Sequence, residues 1–275
     1  MESGDPRQEQ QAYAFFVAGH TYGVKEKAVP GLHMPFVQDF DFINAYPDLA
    51  FGVFTGDIVY YSRDSSWNHV DRQVSELAVP VYFTTGNHDE GHKSPYKDRY
   101  GKTFYAFEQG QDLCIVLNPG LGGWNIWRDQ MEFLQAQLER AKKHQHVFIF
   151  FHHLLWWNPT NEYRNFPPNS LDGRAPDINF WPEVMPLLQA CQRPVYLFAG
   201  DVGAAGKATV FFADRQDNVH FIASGMGNGR KDNYLFVEVS PEKGVEVKVK
   251  WLQTESIHTV FPARGELPFT MRLFP

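Results

Sequence analysis

The strongest constraint on the fold is a series of apolar, β-type runs along the chain: Tyr13–Ala18, Ala50–Thr55, Val79–Thr84, Leu113–Asn118, His146–Phe151, Pro194–Ala199 and Val219–Ser224. Most are nearly continuous rather than alternating, as expected for strands covered on both faces. Helical stretches lie between several of them. Trp127 to Lys143 carries Met131, Leu134 and Leu138 at helical spacing with charges interleaved, and Trp181 to Cys191 has Pro182 acceptable in a first turn. Strands alternating with helices predict an α/β protein with a largely parallel core sheet. The C-terminal part differs: Tyr234–Val239 and Val245–Trp251 alternate apolar and polar residues around Pro241-Glu242-Lys243-Gly244, which predicts an antiparallel hairpin added to that core.

A chain of 275 residues is long enough for one domain with a well-buried core. The expected organisation is a polar tail over residues 1–12 and a single domain over 13–275. The tail carries no apolar segment and is not a signal peptide, which fits either a cytoplasmic start or a mature exported protein that has lost its signal. No apolar run approaches the ~20 residues that span a bilayer. The longest, Val147 to Trp157, is interrupted by His152 and His153 and reads as a buried strand entering a site. A net charge of −7 argues against non-specific nucleic-acid binding, which rests on clustered cations. Cys114 and Cys191 sit in apolar contexts and read as buried thiols. The connection from residue 158 to 180, rich in Asn, Pro, Asp and Gly, is unusually long and directly follows His152-His153, so it is expected to be a lid or substrate loop.

Three strand ends carry chemistry: Gly56-Asp57-Ile58-Val59-Tyr60, Gly86-Asn87-His88-Asp89 and Phe151-His152-His153. In open α/β sheets ligands collect at the carboxyl ends of strands, so separate strands can deliver these side chains to one place. The glycines let the backbone turn sharply where the chain is crowded. Carboxylate, amide oxygen and imidazole together suit manganese, iron and zinc.

In order and spacing these blocks resemble the inner signature blocks of the calcineurin-like metallophosphoesterases. The likeness extends over roughly residues 13 to 252 and takes in Thr103–Phe107, Leu113–Asn118, Asp129-Gln130 with Phe133-Leu134, and Ser224-Gly225-Met226-Gly227. It implies a sandwich of two mixed β-sheets flanked by helices, with the hairpin at its C-terminal side. It also implies a site holding one or two transition-metal ions (Mn, Fe or Zn). In that family Asp57 would bridge two ions, Asn87 and His152 would bind the second, and His88 would contact the phosphate and protonate the leaving group, a role suited to histidine's near-neutral pKa.

The family opens with Gly-Asp-x-His-Gly and closes with Gly-His-x-His. Here the corresponding stretches read Gly19-His20-Thr21-Tyr22-Gly23 and Gly200-Asp201-Val202-Gly203. Mapped through the resemblance, the second-metal set becomes Asp57, Asn87, His152 and Asp201, all able to coordinate. The first-metal set becomes His20, Tyr22, Asp57 and a glycine. The two carboxylates are retained in number but redistributed, which fits a retuned site. The Gly-Asp-x-x-Tyr form of the second block is that of purple acid phosphatases, so Tyr60 either rebuilds a first site with His20 and Asp57 or packs in the core.

Tyr22, Arg63 and His92 are candidates for substrate contact. Asp89 would orient His88 or cap a helix after the turn, and His153 reads as a supporting or structural residue. The expected function is metal-dependent hydrolysis of phosphomonoesters or phosphodiesters, on a small molecule or a phosphorylated polymer, with an altered site, mononuclear or dinuclear. The alternative is an inactive member of the fold that binds a partner or ligand through the same cleft. A serine hydrolase is a poor fit, because no Gly-x-Ser-x-Gly occurs.

Overall fold

A computed structural model describes residues 11–25, 30–91, 94–227 and 229–261. Two six-stranded mixed sheets lie face to face. The first runs in the order β12 (Ile257–Phe261), β11 (Gly244–Trp251), β10 (Asn233–Ser240), β1 (Tyr13–Ala18), β2 (Leu49–Thr55), β3 (Val81–Thr84). The second runs β4 (Tyr105–Gln109), β5 (Asp112–Val116), β6 (Val147–Phe151), β7 (Val195–Ala199), β9 (Val219–Ser224), β8 (Phe211–Gln216). β1, β2 and β3 are mutually parallel, as are β5, β6, β7 and β9, while β10 joins β1 antiparallel and carries the expected hairpin with β11. The expected single parallel core sheet is thus two mixed sheets, the sandwich implied by the resemblance.

The continuous apolar runs have a direct cause in this layering. Successive side chains of a strand point to opposite faces, and here both faces are covered. Phe15, Val17, Phe51 and Val53 face the other sheet's Phe148, Phe150 and Phe198. Phe16, Ala18 and Phe54 point outward onto Phe36, Trp67 and Val70. Behind the second sheet, Ile149, Phe151 and Leu197 meet Leu134, Leu138 and Trp156. Phe15 is the hub of the inter-sheet layer, stacked on Phe51 at 4.6 Å and edge-on to Phe148 at 5.1 Å. Each such buried ring contributes roughly 1.5–3 kcal/mol of burial energy.

The outer layers are short. α1 (Met34–Val37), α2 (Phe40–Asn44), α3 (Asp64–Val74) and α4 (Tyr96–Tyr100) belong to the first sheet's side, and α5 (Asp129–Ala141) and α6 (Met185–Ala190) to the second's. α5 sits inside the predicted 127–143 span. The predicted helix from Trp181 is different: it begins as a wide π-type turn, Phe180–Val184, in which the Asn179 carbonyl accepts from both Glu183 and Val184 N–H at 3.0 and 3.2 Å. Pro182 has no N–H to give and its ring crowds the preceding turn, so a regular α-helix starts only at Met185.

The parallel strands of both sheets end at the same edge of the sandwich. Gly200 N–H donates to the His152 carbonyl at 3.0 Å within the second sheet, and Met226 N–H to the Gly19 carbonyl at 3.1 Å joins the two sheets. Every chemistry-bearing block of the sequence follows one of these strand ends.

Candidate metal centre

The block after β1 crosses the end of β2. His20 N–H donates to the Gly56 carbonyl at 3.1 Å, and Tyr22 N–H to the Asp57 carbonyl at 3.2 Å. His20 and Asp57 both hold left-handed backbones, with φ of 53°. For residues bearing a Cβ this costs on the order of 1 kcal/mol or more each, and such outliers cluster at functional sites. The third block comes so close that a Cβ on Gly86 would collide with Asp57. Asp89 ties the two blocks together: its Oδ1 accepts from Ile58 and Val59 N–H at 2.9 and 3.1 Å, and its Oδ2 from Gly86 N–H at 2.8 Å. It thus neither orients His88 nor caps a helix. Burial, with Asp57 beside it, pushes Asp89 up to about 7.

The histidines are oriented through Nδ1. His152 Nδ1 bonds the Thr55 carbonyl at 2.9 Å, which leaves Nε2 facing Asp57 Oδ1 at 3.5 Å and Asp201 Oδ1 at 3.8 Å. Donation of one ring N–H to a carbonyl is the usual way a ligating histidine is held. His88 bonds the Tyr60 carbonyl through Nδ1 at 2.9 Å, while its backbone N–H donates to Asp57 Oδ1 at 3.0 Å. His20 Nε2 lies 3.4 Å from Asp57 Oδ2. Asp57 therefore presents one oxygen to His152 and the other to His20.

Burial alone would raise the Asp57 pKa, but His152, then His20 and His88, hold it well below the usual carboxylate range. Burial works to lower His152, and Asp57 and Asp201 overcome it, raising the imidazole to about 10. Burial drives His20 down to about 4, against the pull of Asp57. Burial likewise pushes Asp201 up to about 8, against the His152 charge. Asp57 and Asp201 together thus favour positive charge at His152 Nε2, the charge that a bound cation would supply.

Among the described residues, several of these atoms make no hydrogen bond. His152 Nε2, His20 Nδ1 and both carboxylate oxygens of Asp201 are buried without a hydrogen bond. Leaving such groups unsatisfied costs roughly 1–3 kcal/mol each. Atoms bound about 2.1 Å from one ion stand roughly 3–3.5 Å apart, close to the His152 spacings. Asp57, His152 and Asp201 do not by themselves close into a three-ligand cage among the described residues. A cage here needs the Asn87 amide oxygen as well, and Asn87 lines the same cleft.

That cleft has a volume of about 220 Å³ and is lined by His20, Tyr22, Asp57, Asn87, His88 and Asp201, together with Lys25, Asn169, Ser170, Ala204 and Ala205. His152 lies beneath it, fully buried. The other candidates stand elsewhere. Tyr60 packs on Tyr22 and His88 at 5.3 and 4.9 Å between ring centres, and its phenol makes no hydrogen bond to Asp57 or His20. Arg63 is exposed with its guanidinium 4.9 Å from the Tyr61 ring, outside the cleft wall. His153 is buried against Trp124 at 4.7 Å. His92 lies outside the described residues. Sequence reasoning missed Lys25, Asn169 and Ser170; the only signal for the last two was the length of the loop that contains them.

Gly203, where the family has its last histidine, has φ of 94°, and a Cβ there would come within 2.7 Å of the Gly225 carbonyl. No side chain fits at this position without moving the turn after β9.

A fold of two mixed sheets with histidines, carboxylates and an amide at shared strand ends defines a metallophosphoesterase-type architecture. The family description "calcineurin-like phosphoesterase" matches residues 36–184, just over half the chain, and the chain belongs to that family. The matched span contains the three inner blocks and leaves out both altered ends. Among solved structures, the fold is similar to purple acid phosphatase PPD1 from yellow lupin (Lupinus luteus) seeds, with a TM-score of 0.64 and 12% identity over 91% of this chain and 53% of that one. It is also similar to a putative 5'-nucleotidase from Staphylococcus aureus, with a TM-score of 0.43 and 13% identity over 95% of this chain and 56% of that one. A third likeness is the phosphopantetheinyl hydrolase PptH from Mycobacterium tuberculosis, with a TM-score of 0.49 and 12% identity over 94% of this chain and 100% of that one. The chain spans about half the length of the first two. No curated protein matches it in sequence. Among the described residues no helix is long and apolar enough to cross a membrane.

Proposed function

We propose that this protein is a metal-dependent hydrolase of phosphomonoesters or phosphodiesters that works with a single transition-metal ion held by Asp57, Asn87, His152 and Asp201. The observation that carries this is the set of buried, unpartnered donors on His152 and Asp201 facing Asp57. When bound, such an ion supplies Lewis-acid chemistry, polarising phosphoryl oxygens and acidifying water. The chain's own residues do the rest. Asp57 supports the ion-binding donors while its Oδ1 keeps the His88 backbone in place. His88, anchored through Nδ1 on the Tyr60 carbonyl, offers Nε2 to the cleft as proton donor to the leaving group. Burial and the Asp57 charge raise the Tyr22 phenol, which lines the cleft as a hydrogen-bond donor. His20 backs Asp57 on the side where the family has its first metal. The loop 158–180, which brings Asn169 and Ser170 to the cleft, acts as its lid.

One observation favours a non-catalytic binder that uses the same cleft: Gly203 leaves no room for the histidine that would complete a second ion. The two readings separate on p-nitrophenyl phosphate and its bis-ester, assayed with added manganese, iron or zinc. We expect turnover with at least one metal, lowered in Asp201→Asn in step with its weaker metal binding. Ion binding without turnover on either ester would instead establish the binder.

A further inference from the structure

The 158–180 loop reaches the cleft at Asn169, to which neither the sequence motifs nor the mechanism above gives a role. Its backbone N–H donates to the Asp201 carbonyl at 2.9 Å. Its side-chain Oδ1 accepts from Ala204 and Ala205 N–H at 2.7 and 3.1 Å. The surrounding backbone is tied down as well, with Thr209 N–H on the Pro167 carbonyl and Gly203 N–H on the Thr209 carbonyl, both at 2.8 Å. Two N–H donors converging on one atom assign it as the amide oxygen, so Nδ2 is the opposite end of a fixed group. That nitrogen is buried and has no acceptor.

The Asn169 side chain and Ser170 N–H point toward the Asp201 carboxyl and hold it down by hydrogen bonding against the effect of burial, but at a separation too long for a well-formed bond, so a closer acceptor would compete for Nδ2. A buried amide donor left unmade costs roughly 1–3 kcal/mol, which an acceptor arriving in the cleft would recover. The wall opposite carries Asn87, His88 and Tyr22. Resting on the phosphoester reading above, we propose that Asn169 is a substrate-positioning residue whose Nδ2 donates to a non-bridging oxygen of a phosphoryl group bound in the cleft. The ligand class is a tetrahedral oxyanion, and the loop clamp on Ala204 and Ala205 keeps the donor in place before the ligand arrives.

The test uses the full chain with manganese added and inorganic phosphate as probe, with affinity measured by calorimetry and metal content by elemental analysis. Asn169→Asp keeps an oxygen for Ala204 and Ala205 but removes the donor. Ser170→Asp puts a carboxylate on the same wall and leaves the donor, so it controls for added charge. Asn169→Ala removes both clamp and donor, and its loop is read by limited proteolysis within 158–180. We expect Asn169→Asp to weaken phosphate binding roughly tenfold beyond Ser170→Asp at unchanged metal content. In turnover, the loss should fall on KM for the phosphoester. Equal phosphate affinity in the two aspartate variants would overturn the proposal. So would a loss of metal from Asn169→Asp, because the amide would then serve Asp201 alone. Phosphate binding without hydrolysis by the unmodified chain would leave this inference standing and remove the catalytic reading, whereas ester turnover by a chain that binds no phosphate would remove this inference and leave the catalytic reading.

Discussion

The two sides of Asp57 are built differently. On the Oδ1 side stand His152, fixed through Thr55, and Asp201, with buried donor atoms that nothing in the chain satisfies. On the Oδ2 side stands His20 alone, backed by the rings of Tyr22, Tyr60 and His88 and by a glycine turn that admits no side chain. Both sides keep a buried histidine nitrogen without a hydrogen bond, but only the first sets a second carboxylate, Asp201, beside Asp57 and His152, while the other is backed by aromatic packing. The division does not follow strand ends, since Asp201 and Gly203 both follow β7 and Asn87 and His88 both follow β3; it follows which side chain stands at each position of a shared block.

The largest expected effect comes from the shared residue. Asp57→Asn keeps a side chain that tolerates the left-handed backbone but removes the charge common to both sides. Metal content should be lost and p-nitrophenyl phosphate turnover should fall by roughly a hundredfold or more. Next, Asp201→Asn touches only the donor-rich side and should weaken metal binding by roughly ten- to a hundredfold with the fold intact by circular dichroism. If it changed nothing while His20→Ala removed the metal, the comparison would be reversed.

Restoring the family pattern should fail on the packed side. Gly203→His, alone or with Tyr22→His, is expected to destabilise by about 1–3 kcal/mol through backbone strain and to add no second ion. A thermal melt beside elemental analysis reads both outcomes, and a gain of metal at unchanged melting temperature would break the asymmetry.

A smaller effect lies away from both sides and serves as a control on acid sensitivity. Burial, helped by the charges of Arg215 and His146, lowers His220 to about 3. The unfolded chain takes up that proton near pH 6.5 and the folded chain does not until about 3, so stability falls as pH drops through this window. Between pH 7 and 5 this amounts to about 2 kcal/mol. His220→Phe, which can keep the stack on Tyr196, should lose less stability than the parent by about that amount in urea melts at the two pH values.

Much of the fold was legible because burial on both faces writes itself into continuous apolar runs. Tyr13–Ala18 and Val219–Ser224 match β1 and β9 to the residue. Phe211–Gln216 escaped notice because this edge strand turns polar after Ala213. The division into two sheets was not visible in the periodicity, since a strand buried between a sheet and helices has the same composition in either arrangement; it came from the family resemblance. In the site, Asp57, Asn87, His88, His152 and Asp201 were legible because each directly follows a strand end. Asn169 was not, because its place depends on a loop returning to Ala204 and Ala205, a contact with no local sequence signature. Tyr60 follows the same strand end as Asp57, and its ring packs on Tyr22 and His88 beside the cleft, a contact that the block's spacing does not reveal.

The claim that one side of Asp57 is a metal site and the other is not comes down to a count. Elemental analysis of the full chain, titrated with manganese, iron or zinc and freed of excess, should saturate at one ion per chain and approach zero in Asp201→Asn. Saturation at two ions, or no bound ion with any of the three metals, would contradict it.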